Sequence, residues 1–149
     1  MDSNLTFYTD GAVKNNKYSS KGGQFGGIGV YCKELNLEIY KKYPNATNNK
    51  MELMAILEAL EYIHINGLFN KKIVIYSDSN YSIKCCNIWY PNWVKNNKLS
   101  DKKNLSIIQK IVEYLDSFEN VKLIWCKGHS GIAGNEIADE LANKALKEI

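Results

Sequence analysis

Four carboxylates in this chain stand where a fold could gather them. Asp10 closes an apolar run containing Leu5, Phe7 and Tyr8 and is followed at once by Gly11. Asp78 closes a second run, Ile73 to Tyr76, within Ser77-Asp78-Ser79. Glu52 opens one segment of helical period and Asp139 lies in the first turns of another. Ligands of open α/β sheets sit beyond the carboxyl ends of strands, where Asp10 and Asp78 would project. Singly, each acid has a simpler use: a turn former at Asp10, a capping-box residue at Glu52, a helix cap or turn at Asp78, a charge favoured near a helix start at Asp139. All four being incidental at one sheet edge is the harder reading.

Two like charges about 4 Å apart repel by roughly 1 kcal/mol in water and roughly 4 kcal/mol at an effective dielectric of 20, so four gathered anions need compensation. All 19 basic residues are lysine and the chain has no arginine, so guanidinium forks cannot supply it. Divalent cations can, and an all-oxygen set suits Mg²⁺ or Mn²⁺ over zinc. Two such ions activate a water and stabilise the leaving oxygen of an in-line phosphoryl displacement. His129, in a loop marked by Gly128, Gly131 and Gly134, could move a proton or help product leave; a structural loop histidine is the alternative.

The elements that must position these groups follow from periodicity. The first strand is expected to end at Asp10, with Gly11 taking a tight turn, and strands at Ile28 to Lys33 and Leu37 to Lys42 complete an antiparallel meander. From Lys50 the apolar positions Leu53, Ile56, Leu57, Leu60 and Ile63 have helical spacing, with Asn49 as expected cap and Glu52 three residues on. Gly67 ends that helix, and His64 near its end reads as a packing or surface residue. After the strand at Ile73 to Tyr76, a helix from Ser79 or Asn80 is expected to stop at Pro91. A helix around Leu105 to Leu115, a strand at Val121 to Cys126 and a helix from about Asn135 complete the order. Helices between later strands imply crossovers and a mixed sheet, and strand one beside strand four brings Asp10 and Asp78 to one edge.

A chain of 149 residues with 45% apolar content suits one domain with one core. No apolar run reaches the roughly 18 residues of a membrane span, and Met1 to Asn4 carries no signal segment, so a soluble intracellular protein is expected, cytoplasm and nucleus being indistinguishable. Cys32, Cys85, Cys86 and Cys126 form no Cys-x-x-Cys pair and read as free, partly buried thiols of a reducing compartment in preference to zinc ligands. Lys84 to Lys110 holds six lysines and one acid, a local +5 within a net +3, which points to a polyanion on that face, a solvated loop being the alternative.

Tyr8-Thr9-Asp10-Gly11-Ala12, Asn48-Asn49-Lys50-Met51-Glu52-Leu53, Tyr76-Ser77-Asp78-Ser79, and Lys127-Gly128-His129-Ser130-Gly131 running on to Asn135-Glu136-Ile137-Ala138-Asp139 together resemble type I ribonuclease H, in that family's order. The resemblance implies an α/β fold, a mixed five-stranded sheet of a three-strand antiparallel meander plus two parallel strands, flanked by helices. It implies Mg²⁺-dependent hydrolysis of the RNA strand of RNA/DNA hybrids, with two ions per site, Mn²⁺ as a substitute, and 5′-phosphate and 3′-hydroxyl products. Asp10, Glu52, Asp78 and Asp139 take the metal-ligand positions and His129 that of the assisting histidine. Asn48 and Asn49 would lie in the minor groove where 2′-hydroxyls mark RNA, with Asn80 in the place of a common glutamine. Trp89, Trp93, Lys95 and Lys98 resemble the DNA-strand surface, and Thr47 and Asn104 parts of a DNA-phosphate pocket. Three departures stand out: Asn45 replaces an arginine many members place in that pocket, the basic loop Val94 to Lys103 is short, and the loop Lys14 to Phe25 is long and lacks proline. Weaker, more salt-sensitive hybrid binding is therefore expected. The first strand begins almost at Met1, leaving no room for an N-terminal hybrid-binding module, so a stand-alone monomer of limited processivity is expected. Rival readings are a non-catalytic hybrid- or RNA-binding module and another metal nuclease of the same fold.

Overall fold

A computed structural model describes residues 4–14, 24–98 and 104–148. Five strands, β1 (Leu5–Lys14), β2 (Phe25–Cys32), β3 (Leu37–Tyr43), β4 (Ile73–Ser77) and β5 (Val121–Trp125), form one sheet in the order β3-β2-β1-β4-β5. β1 runs antiparallel to β2 and parallel to β4, β2 antiparallel to β3, and β4 parallel to β5. The meander, the crossovers and the placing of strand one beside strand four are as the sequence implied.

Strand alternation assigns the two faces. Phe7 meets Tyr62 of α1 (Asn48–Ile65), whereas the neighbouring Tyr8 lies under Gly134 of α5 (Ala133–Leu146). On the first face Phe7, Ile28, Val30, Ile73 and Ile75 pack with Leu53, Ile56, Leu60 and Ile63 of α1 and with Ile108 and Ile111 of α4 (Leu105–Ser117), all at most 1% exposed. Each such side chain contributes about 1.5–3 kcal/mol on burial. On the second face α5 lies directly on β2: a Cβ at Gly27 would stand 2.2 Å from the Ala142 carbonyl oxygen, and one at Gly29 2.2 Å from that of Ala138. Gly29 pairs with Asp10, so this close approach delivers the neighbour of Ala138, Asp139, to Asp10.

Several boundaries differ from those read in the sequence. β1 does not end at Asp10: it continues to Lys14 against β2, and Gly11 is a strand residue, not a turn. Its absent side chain serves helix packing, because a Cβ there would lie 2.5 Å from the Met51 carbonyl carbon and 2.6 Å from the Glu52 nitrogen. β2 spans Phe25–Cys32 where Ile28 to Lys33 was expected, since Phe25 to Gly27 still pair with Lys14 to Ala12. α5 begins at Ala133, two residues early. Residues 15–23 of the first long loop and 99–103 of the basic loop lie outside the described residues.

The cap of α1 is Thr47, not Asn49; its hydroxyl accepts from the Lys50 amide at 3.2 Å. Asn48 and Asn49 are then the first two helical residues, and Glu52 lies too far in to close a capping box, so its carboxylate is free for the site. Thr47→Ala is expected to cost about 1 kcal/mol of unfolding free energy, measured by urea titration. Asn66 and Gly67, at φ +65°, end the helix. His64 is exposed, with its ring against Tyr114 and Phe118, as its packing reading anticipated.

Pro91 does not stop the helix that starts at Asn80. α2 (Asn80–Lys84) passes through a π-helical turn, Cys85–Trp89, into α3 (Tyr90–Lys95). Pro91 has no N–H to offer the Asn87 carbonyl four residues back; just before it the Tyr90 amide bonds to the Cys85 carbonyl, five residues back, in a wider turn that leads the chain on into α3. The helical stretch therefore presents Tyr81, Trp89 and Trp93 as a strip, with ring centroids 6.1 Å apart for Tyr81 and Trp89 and 6.5 Å for Trp89 and Trp93.

Candidate active site

β4 pairs with β1 only as far as Thr9 and Ser77. Asp10 is the next residue of β1 and Asp78 the next after β4, so the two carboxylates open onto a strip of sheet edge from which β4 has departed. That gap lets acids from both faces meet: Glu52 arrives from α1 and Asp139 from α5. Asp10, Glu52 and Asp78 offer carboxylate oxygens that all lie within 4.8 Å of one another. Asp139 interacts with Asp10 by a side-chain hydrogen bond but stands outside that mutual group, and its Oδ1 accepts from Asn143 Nδ2 at 3.3 Å. The four acids expected together thus resolve into three that converge and one attached through Asp10.

Asp10 is 5% exposed and Glu52 7%. The Gly11 amide donates to Asp10 Oδ1 at 2.9 Å and to Glu52 Oε1 at 2.5 Å, one donor shared between two anions. Burial pushes both carboxyls above the usual range, for Glu52 reinforced by Asp10 and Asp78. Among the described residues, the groups that act on the pair are acids and the Gly11 amide. An all-carboxylate, desolvated set held within one ion's reach, with no cationic partner among the described residues, fits a hard divalent cation, which would displace the protons that the raised pKa values retain.

The sequence model of the ribonuclease H family matches residues 2–147. The chain belongs to the ribonuclease H family. Relatives named Ribonuclease H include that of Francisella tularensis subsp. novicida (strain U112), 42% identical over 146 residues, covering 95% of this chain and 90% of the relative. The Ribonuclease H of Francisella philomiragia subsp. philomiragia is 40% identical over 150 residues, 98% of this chain and 93% of that protein. Among solved structures, LC9-RNase H1, described as a type 1 RNase H with the type 2 active-site motif, aligns with a TM-score of 0.75 at 25% identity, over 97% of this chain and 72% of that one. The foamy viral protease-reverse transcriptase in complex with RNA/DNA hybrid aligns with a TM-score of 0.75 at 18% identity, over 97% of this chain and 20% of that one, a likeness of fold.

Around the acids of this ribonuclease H the other singled-out residues are distributed as follows. Thr47, Asn48 and Asn49 are exposed at the start of α1, and Asn80 is exposed at the start of α2. Asn104 precedes α4 in a left-handed conformation, φ +61°, and is linked to Tyr81 by a side-chain hydrogen bond. Trp89 is 37% exposed, Trp93 partly buried, and Lys95 and Lys98 exposed at the end of α3 and just beyond it. His129 is exposed with φ +53° and follows Gly128, which packs against the Asp78 carboxylate. Sequence reasoning missed three neighbours of these residues: the Gly11 amide between Asp10 and Glu52, Gly128 against Asp78, and Tyr81 against Trp89 and Asn104. The Gly128 signal was present beside His129 but was read as loop flexibility; Tyr81 carried none until the π turn aligned it with Trp89.

Proposed function

We propose that this ribonuclease H hydrolyses the RNA strand of RNA/DNA hybrids, giving 5′-phosphate and 3′-hydroxyl ends, with two Mg²⁺ ions held by Asp10, Glu52, Asp78 and Asp139 and with Mn²⁺ as a substitute. The observation that carries this reading is the convergence of three buried or half-buried carboxylates within 4.8 Å at the open sheet edge. The family is metal-dependent, and a hybrid is what the foamy viral relative of this fold holds. Bound there, the ions supply an activated water and charge neutralisation on the departing oxygen.

The remaining work falls to side chains of this chain. Asn48, Asn49 and Asn80 are exposed amides at two helix starts that can hydrogen-bond 2′-hydroxyls and base edges across the minor groove. The Trp89–Trp93 strip, with Lys95 and Lys98 beyond it, offers a stacking and cationic surface for the DNA strand. Thr47 keeps its hydroxyl hydrogen for a DNA phosphate while its oxygen caps α1, and Asn104 contributes an amide. His129, exposed and next in the chain to Gly128, which backs the Asp78 carboxylate, moves a proton or eases product departure. The free thiols, four of four buried, suit a reducing intracellular setting, and no helix among the described residues is long and apolar enough to cross a membrane. We take the working unit to be a monomer comprising one catalytic domain.

The test is Mg²⁺-dependent cleavage of a labelled hybrid beside RNA/RNA, DNA/DNA and four-way-junction controls. Cleavage confined to the RNA strand of the hybrid is expected; failure to cut the hybrid, with or without Mn²⁺, would sink the proposal. Asn45→Arg is expected to lower KM for the hybrid about threefold at moderate salt, by adding one phosphate contact. Asn45 has φ +53°, which arginine tolerates poorly, so a stability loss of about 1 kcal/mol should accompany the gain. An unchanged KM would remove Asn45 from the phosphate pocket.

A further inference from the structure

Asp78 is held differently from the acids it faces. Asp10 is fixed within the β1–β2 ladder and Glu52 within α1, but Asp78 lies one residue past β4 and one before the Ser79 cap of α2, outside any repeating backbone pattern. Its backbone is secured from β5. The Trp125 indole N–H donates to the Asp78 carbonyl oxygen at 3.2 Å, and the Cys126 amide donates to the Ser77 carbonyl at 2.9 Å. Two residues on, the backbone at Gly128 presses against the carboxylate itself: a Cβ there would lie 2.6 Å from Asp78 Oδ2. Trp125 is 48% exposed, so core packing does not explain an indole at this place.

We propose that Trp125 is a positioning residue for the cation site: its indole N–H fixes the Asp78 backbone while Gly128 backs the Asp78 carboxylate, keeping that group aimed at Asp10 and Glu52. The inference rests on the reading of these three acids as metal ligands. Removing the indole donor leaves Asp78 free to swivel about a bend, and adding a methyl group at Gly128 forces its carboxylate to turn. Both changes reach the metal through Asp78 without touching Asp10 or Glu52.

The experiment counts free Mn²⁺ by electron paramagnetic resonance during titration of the substrate-free protein. Trp125→Phe keeps an aromatic ring and loses the donor; Mn²⁺ binding should weaken about fivefold, the worth of one hydrogen bond. Gly128→Ala should weaken it tenfold or more. Replacing Trp125 by benzothienylalanine, isosteric but without the N–H, should match Trp125→Phe, and hybrid cleavage by either should recover at saturating Mn²⁺. A purely structural role would lower the melting temperature and leave the Mn²⁺ titration unmoved; that result, or wild-type affinity in the benzothienylalanine protein, overturns the proposal. Absence of Mn²⁺ binding by the wild-type protein would instead overturn the metal reading on which it stands.

Discussion

Asp10→Asn is expected to reduce hybrid cleavage by at least a thousandfold and, in the same molecule, to raise the stability of the metal-free protein. The two effects share one cause. Asp10 is almost fully buried, faces Glu52, Asp78 and Asp139, and has its carboxyl raised to about 7, chiefly by desolvation. A carboxyl raised on folding binds more protons in the folded state than in the unfolded chain, so its contribution to stability falls as pH rises from the ordinary carboxylate range near 4 through the folded value. At pH 8 the metal-free fold therefore carries an uncompensated cost on the order of 2 kcal/mol, which a neutral amide of the same shape avoids. The melting temperature of metal-free Asp10→Asn should exceed that of the wild type at pH 8 by roughly 5 °C, with the gap closing toward pH 4. Divalent cation should stabilise the wild type and leave the variant nearly unchanged. Calorimetry with and without Mg²⁺ at the two pH values measures all of this. Cleavage that survives the substitution would remove Asp10 from the metal site, and a variant less stable than wild type at pH 8 would refute the electrostatic account.

Gly11→Ala should be strongly damaging to both the fold and the site. Its Cβ would stand within 2.8 Å of three atoms of α1, two of them backbone, and a helix packed by Leu53, Ile56 and Leu60 cannot retreat without opening the core. Overpacking against backbone costs about 3 kcal/mol or more. Separation of β1 from α1 would also stretch the Gly11 amide from Glu52 Oε1, the 2.5 Å contact that joins the two acids. Urea denaturation should show the stability loss. Single-turnover cleavage at a temperature where the variant remains folded should fall about a hundredfold, more than any simple loss of population explains. A native denaturation midpoint with normal turnover would show that α1 can move freely against β1.

Much of this was legible before any coordinates. The apolar period of Leu53 to Ile63 gave α1 its buried face, the runs at Ile73 and Val121 gave parallel strands, and the crossovers required by helices between them put β1 beside β4. The misreadings share one origin, in that local signals were given authority over tertiary ones. Asp10-Gly11 has turn chemistry, yet seven ladder pairs with β2 hold it extended. Pro91 has stop chemistry, yet a π turn absorbs it. Asn49 can cap, but Thr47 sits one turn ahead of Lys50 and takes the bond.

The chemical character of the site was decided by the sequence alone: four acids and a histidine in a fixed order, no arginine to neutralise them, and hence a need for cations. Residue type sets which groups can be anions and how hard they are as ligands; the fold shifts only the pH at which they ionise. Which acids come within reach of a common ion was decided only by tertiary structure. That depends on where β4 leaves β1, on how closely α5 rides over Gly27 and Gly29, and on the grip of Trp125 and Gly128 on Asp78. These are distances between segments far apart in the chain, and periodicity carries no information about them.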